Sequence, residues 1–194
     1  MVLVDFPARS SGAIASFGTN LHHPPIHTPN PPTATHVTES IHRPRIAITL
    51  GDPRGIGPEV TRAALADAEV AAAAEWVLVG PDALLRAGTA DVSAGAWAEA
   101  DGAAAAGRIA GEAIRRATEM ALAGEVDAVV TAPIEKNAFR AGGWHYPGHT
   151  EMLGELAGAA DVVMMMAAER TALGGALRVV LAKIGRASCR ERVF

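Results

Sequence analysis

Arg45-Ile-Ala-Ile-Thr-Leu-Gly-Asp-Pro-Arg-Gly-Ile-Gly-Pro-Glu59 reads as a short strand, a tight loop and the first turn of a helix. Ile46, Ile48 and Thr49 are β-branched, and the apolar run stops at Gly51, the pattern of a buried strand. Glycine and proline punctuate residues 51–58. Pro58 suits the first helical turn, with Glu59 near the positive end of the helix dipole. The helix is predicted to run to about residue 67 or 69. A strand feeding a helix through a glycine-rich loop is the opening unit of an α/β fold.

The same alternation continues outward. Trp76-Val-Leu-Val79 is a second strand, stopped by Gly80-Pro81. Residues 103–123 form a long helix with Ile109, Ala113, Ala117 and Met120 on one face and Arg108, Glu112, Arg115 and Glu119 largely elsewhere. Gly124 suits the position just past its end. Residues 126–130 form a third strand leading into Thr131-Ala-Pro133. Residues 149–156 read as a helix, and 162–166 and 177–181 as two further strands. Strands alternating with helices imply a parallel or mixed sheet covered on both faces.

Composition bounds the function. The chain has 194 residues, one cysteine, 4% aromatic content and a net charge of −4. No surplus of positive charge is present to neutralise phosphates, which excludes a basic nucleic-acid binder. Trp76, Trp97 and Trp144 are too scattered for a base-stacking platform. One cysteine excludes a disulfide scaffold and favours a cytoplasmic location. No apolar run approaches the roughly 18–20 residues of a membrane span, and the opening Met-Val-Leu-Val-Asp-Phe lacks the pattern of a secretory signal.

The two ends differ from the middle. Residues 1–44 hold seven of the twelve prolines and five of the seven histidines, and are expected to be a disordered extension. Their histidines read as a weak metal-binding tract, as a solvated tail, or as upstream sequence translated from a start codon set too early. Residues 183–194 hold Lys183, Arg186, Arg190 and Arg192 and the only cysteine, Cys189. Ile184-Gly-Arg-Ala-Ser-Cys-Arg-Glu-Arg-Val193 resembles a translated sequencing adapter, so this segment is expected to be a non-native tail; the alternative is a natural basic tail.

Three motifs carry candidate chemistry. Residues 51–59 either bring backbone amides to an anion or make a tight strand-to-helix turn. They contain neither a full dinucleotide fingerprint nor a Walker lysine. Residues 131–136, Thr-Ala-Pro-Ile-Glu-Lys, follow a buried strand, where open α/β sheets bind ligands. Lys136 either holds a phosphate or carboxylate or is an exposed helix-start lysine. In Tyr146-Pro-Gly-His-Thr-Glu151, His149 and Thr150 open a helix as an anion- or hydroxyl-recognition pair, or serve as a structural histidine and a cap. Met164-Met-Met166 is expected to be core packing.

In this order the motifs resemble the 4-hydroxythreonine-4-phosphate dehydrogenase family of pyridoxal phosphate biosynthesis. The matching stretches are residues 45–59, 124–134 and 146–152, with Val162-Val-Met-Met165 and Leu177-Arg-Val-Val-Leu181. The resemblance covers residues 45–182, expected to be the N-terminal part of the family's fold. It implies an isocitrate/isopropylmalate dehydrogenase-like three-layer α/β fold, here incomplete, and a homodimer. The implied reaction is NAD-dependent oxidation, then decarboxylation, of 4-phosphooxy-L-threonine to 3-amino-2-oxopropyl phosphate, helped by a divalent metal (zinc, magnesium or cobalt). Other reactions open to the same family are oxidation of a tetronate 4-phosphate or an aromatic dihydrodiol carboxylate. A non-catalytic phosphate- or acid-binding module is the reading from a different class.

The resemblance assigns substrate contacts to His149 and Thr150; Lys136 joins them from the reading of its own motif. It leaves the catalytic and NAD-binding residues unassigned. Lys183-Ile-Gly185 stands where the family has a Thr-Thr-His segment with the first metal ligand. No metal ligand is therefore assigned, and the 194-residue chain is expected to be inactive and to fold poorly alone. Glu135 stands where the family often has His or Asn, and its charge is expected to repel a phosphorylated substrate.

Overall fold

The computed structural model describes residues 2–3, 43–159, 162–168, 171 and 174–181. The expected tail 183–194, and most of the expected extension 1–44, lie outside these residues. Within that extension Val2–Leu3 forms a short strand, β1, and Arg43 donates to the carbonyls of Ala71 and Ala74.

The central sheet is built from β2 (Arg45–Thr49), β3 (Glu75–Pro81), β4 (Val92–Gly95) and β5 (Ala128–Thr131). All pairings are parallel, in the order β4-β3-β2-β5. Parallel neighbours need crossovers, and helices supply two of them. α1 (Gly57–Ala66) and α2 (Ala68–Ala73) link β2 to β3, and α3 (Gly102–Leu122) lies between β4 and β5. The third strand begins at Ala128 rather than residue 126, and the first helix is shorter than expected. The first helix ends at Ala66, because Asp67 leaves helical geometry and caps α2 by accepting from the Glu69 and Val70 amides. β4 is an added strand.

α3 is buried along most of its length. Ile109, Ala113, Ala117 and Met120 pack on Ala47, Val77 and Val79 of the sheet, as the periodicity predicts. Its opposite side is buried too. Ala110 and Ile114 meet Phe139, Met152 and Leu153, contributed by α4 (Lys136–Ala141) and α5 (His149–Leu156). Few aromatics are needed because small residues let the backbones approach closely. A Cβ on Gly107 would lie 1.8 Å from the Ala138 carbonyl oxygen. Gly124 ends α3 with φ 68. Its amide reaches Ala121 O and the Glu125 amide reaches Met120 O, a Schellman cap.

The expectation of a sheet covered on both faces is met only in part. Ile48, Leu50 and Leu78 pack with Leu65 and Trp76 on the α1 side. Val60 and Val130 on that side remain 54% and 47% exposed, because β5 is the sheet's edge. The last two strands do not join this sheet. β6 (Val163–Ala168) and β7 (Leu177–Leu181) pair antiparallel, and β1 adds to β6. Met164 and Met165 are half-buried, but Met166 is exposed, which corrects the expectation of core packing for all three.

Asp91 shows how charge is managed near β3. Its carboxylate is buried; burial alone raises its pKa, yet the Arg86 guanidinium and the Leu78 and Arg86 amides hold it down at about 2. A carboxylate held below its unfolded value stabilises the fold above the unfolded pKa, and that stabilisation is lost as pH falls through the folded one. Stability should therefore drop between about pH 4 and about pH 2. Asp91→Asn should flatten that drop in urea titrations across this range.

Candidate anion site beyond the strand ends

The loops after β2 and β5 meet beyond the carboxyl ends of their strands. Asp52 N–H donates to the Pro133 carbonyl at 3.0 Å and Ala132 N–H to the Thr49 carbonyl at 2.9 Å. Gly51 makes this approach possible. Its φ is +70, and a Cβ there would sit 2.2 Å from Pro133 O. Gly51 and Gly57, where a Cβ would lie 2.3 Å from Leu50 O, serve close backbone packing, whereas a Cβ on Gly55 would come no nearer than 3.4 Å to its neighbours. The Asp52 side chain is buried, accepting from the Arg54 amide at 2.9 Å and from both ends of its guanidinium, at 3.1 and 2.7 Å. A groove of about 420 Å³ opens between the loops, lined by Asp52, Arg54, Gly55, Pro133 and Glu135 among others.

Glu135 closes the far side of the groove. Its two carboxylate oxygens accept from the Asn137 amide at 2.9 Å and the Ala138 amide at 2.6 Å, so it is the N-cap of α4. These bonds lower its pKa. Arg54 stands 4.0 Å away on the groove side. The charge of Glu135, expected to repel a phosphate, is directed into the helix start and toward a guanidinium.

Lys136, exposed, is the first residue of α4. His149 opens α5, with Thr150 second in the helix and 7% exposed. Gly148 holds the N-cap position, so Thr150 is not the cap. The His149 ring is largely withdrawn from water, and burial lowers its pKa. A hydrogen bond to the Ala132 backbone opposes that shift, and the Lys136 charge adds to it. Nε2 of His149 is buried with no partner. The structure therefore brings Lys136 and His149 within electrostatic reach, through the β5–α4 loop.

Sequence reasoning passed over the Asp52–Arg54 pair and the capping role of Glu135. The signals were present: Asp-x-Arg is a spacing at which a carboxylate reaches its neighbour's amide, and Glu135 precedes a helix by one residue. Among the described residues no three His, Cys, Asp or Glu side chains converge as metal ligands, and no helix is long and apolar enough to cross a membrane.

A parallel sheet with helical crossovers, whose β2 and β5 loops meet beyond the carboxyl ends of their strands, defines an α/β protein with a candidate ligand site at that edge. The family described as pyridoxal phosphate biosynthetic protein PdxA matches residues 56–184, and the chain belongs to it. It is 37% identical over 175 residues to a 4-hydroxythreonine-4-phosphate dehydrogenase of Geobacter metallireducens, covering 75% of this chain and 50% of that protein. It is 33% identical over 152 residues to a D-threonate 4-phosphate dehydrogenase of Pectobacterium atrosepticum, covering 62% and 46%. Among solved structures, a 4-hydroxythreonine-4-phosphate dehydrogenase from Burkholderia phymatum superposes with a TM-score of 0.61 at 31% identity, over 78% of this chain and 54% of that one. The chain spans about half the length of the curated relatives it matches.

Proposed function

We propose that this chain supplies the substrate-anion site of an NAD-dependent dehydrogenase that oxidises and decarboxylates 4-phosphooxy-L-threonine, in the formation of pyridoxal phosphate. The observation that carries the reading is the buried, unpartnered Nε2 of His149 at the start of α5, a ring that also feels the Lys136 charge. Nε2, buried without a partner, becomes a donor to an anion once the ring is protonated. Lys136 adds a fixed positive charge, and the first turn of α5 adds the positive end of its dipole. Thr150 completes the trio of substrate contacts. When bound, NAD and a divalent metal would supply hydride acceptance and polarisation of the reacting oxygen. The described residues do not form a three-ligand set that fits such a metal.

The reading includes a cytoplasmic location and a homodimer, the latter supported by the exposed apolar side chains Met166, Leu177, Val179 and Val180 of the β6–β7 ribbon. A second reading, oxidation of a tetronate 4-phosphate, is favoured by the D-threonate 4-phosphate dehydrogenase relative. Both substrates present a phosphate to the same trio.

Calorimetric titration of the 194-residue chain tests the reading. Because a phosphate favours the protonated ring, whose pKa burial holds below the ordinary 6.5, His149 should make affinity for 4-phosphooxy-L-threonine rise as pH falls toward and below about 6.5, against the weakening that the phosphate's own protonation near 6 brings. His149→Ala should remove that dependence. No NADH should form with NAD and magnesium. Turnover would overturn the expectation of inactivity, and a pH-independent affinity would overturn the role of His149.

A further inference from the structure

The Glu135 carboxylate sits one residue from the cation proposed to hold the substrate's phosphate. Unscreened, it would weaken anion binding. Its geometry shows a different use. Both oxygens are taken by the Asn137 and Ala138 amides, and the side facing the groove meets Arg54, itself clamped by buried Asp52. α4 is only six residues long, too short to hold its place by helix propensity. What fixes its first turn is this cap, and what fixes its far end is Phe139 against α3 and α5.

We propose that Glu135, backed by Arg54, is a positioning residue for the anion site: it caps the first turn of α4, the turn that carries Lys136. This rests on the reading of Lys136 and His149 as the anion contacts. It assigns to Glu135 an effect of opposite sign to simple repulsion. A repelling carboxylate tightens anion binding when removed, whereas a positioning carboxylate loosens it.

The test uses inorganic phosphate as the probe, with calorimetry and NMR of the His149 ring in the 194-residue chain. Glu135→Ala should weaken phosphate binding by about tenfold, the size of a lost cap. The His149 ring should titrate at a higher pH, since Lys136 no longer depresses it. Glu135→Asp keeps a capping carboxylate and should restore affinity to within about threefold of the parent. Arg54→Lys, on the exposed side of the groove, should weaken binding by about threefold without loss of fold, and serves if Glu135→Ala does not fold. Tighter or unchanged binding in Glu135→Ala, no recovery in Glu135→Asp, or, where Glu135→Ala does not fold, unchanged binding in Arg54→Lys overturns the proposal while leaving the anion site standing. Equal failure of the parent and His149→Ala to bind phosphate overturns both.

Discussion

Phe139→Ala should lower the free energy of unfolding by about 3–5 kcal/mol, read as a shift in the urea midpoint. Phe139 is 1% exposed and is the largest fully buried side chain described. It packs with Ala110 and Ile114 of α3 and Met152 and Leu153 of α5. Its ring lies 6.2 Å from that of Trp144, whose indole N–H donates to the Arg108 carbonyl. Truncation removes an aromatic ring from a place where the backbone cannot follow. Gly107 already brings α3 into contact with the α4 backbone, so the helices cannot close further over the void. Because α4 carries Lys136, the same variant should also weaken anion binding. A change below about 1 kcal/mol would mean that α4 is not anchored as described.

Gly51→Ala should be comparably damaging for a different reason. At φ +70 an alanine costs about 1–2 kcal/mol in backbone strain alone. Its Cβ would also lie 2.2 Å from Pro133 O and 3.0 Å from two further Ala132 atoms. These are backbone atoms that no rotamer change can move. Relief requires the two loops to separate, which breaks the Asp52–Pro133 hydrogen bond and carries Ala132 away from His149. The expected cost is about 3 kcal/mol or more, with loss of phosphate affinity. A variant as stable as the parent would show that the loops are not held together at Gly51.

The elements most legible in the sequence were those whose signals are local. The β-branched run before Gly51 gave β2 almost to the residue, and the apolar period with Gly124 gave α3. His149–Leu156 matched its expected bounds because Pro147-Gly148 marks its start. β4 was missed because Val-Ser-Ala-Gly has no apolar run. It exists by pairing with β3 across an irregularity at Gly80/Pro81. α4 was missed because six residues hold too little periodicity; its cap and Phe139 make it a helix. The division into a parallel sheet and an antiparallel ribbon is a matter of long-range pairing, which strand patterns do not encode. For the proposed site, the candidate residues could be named from their own motifs, but their spatial relation could not. Lys136 and His149 are thirteen positions apart, and only the β5–α4 loop and the packing of α5 bring them together.

The central claim is that His149 and Lys136 form an anion site. It is tested most directly by following the His149 ring nitrogens by NMR while 4-phosphooxy-L-threonine is added. Saturable binding should shift the Nε2 signal and raise the ring's pKa, and Lys136→Ala should weaken the binding that produces the shift. A ring signal that stays in place at ligand concentrations that saturate the chain would contradict the account.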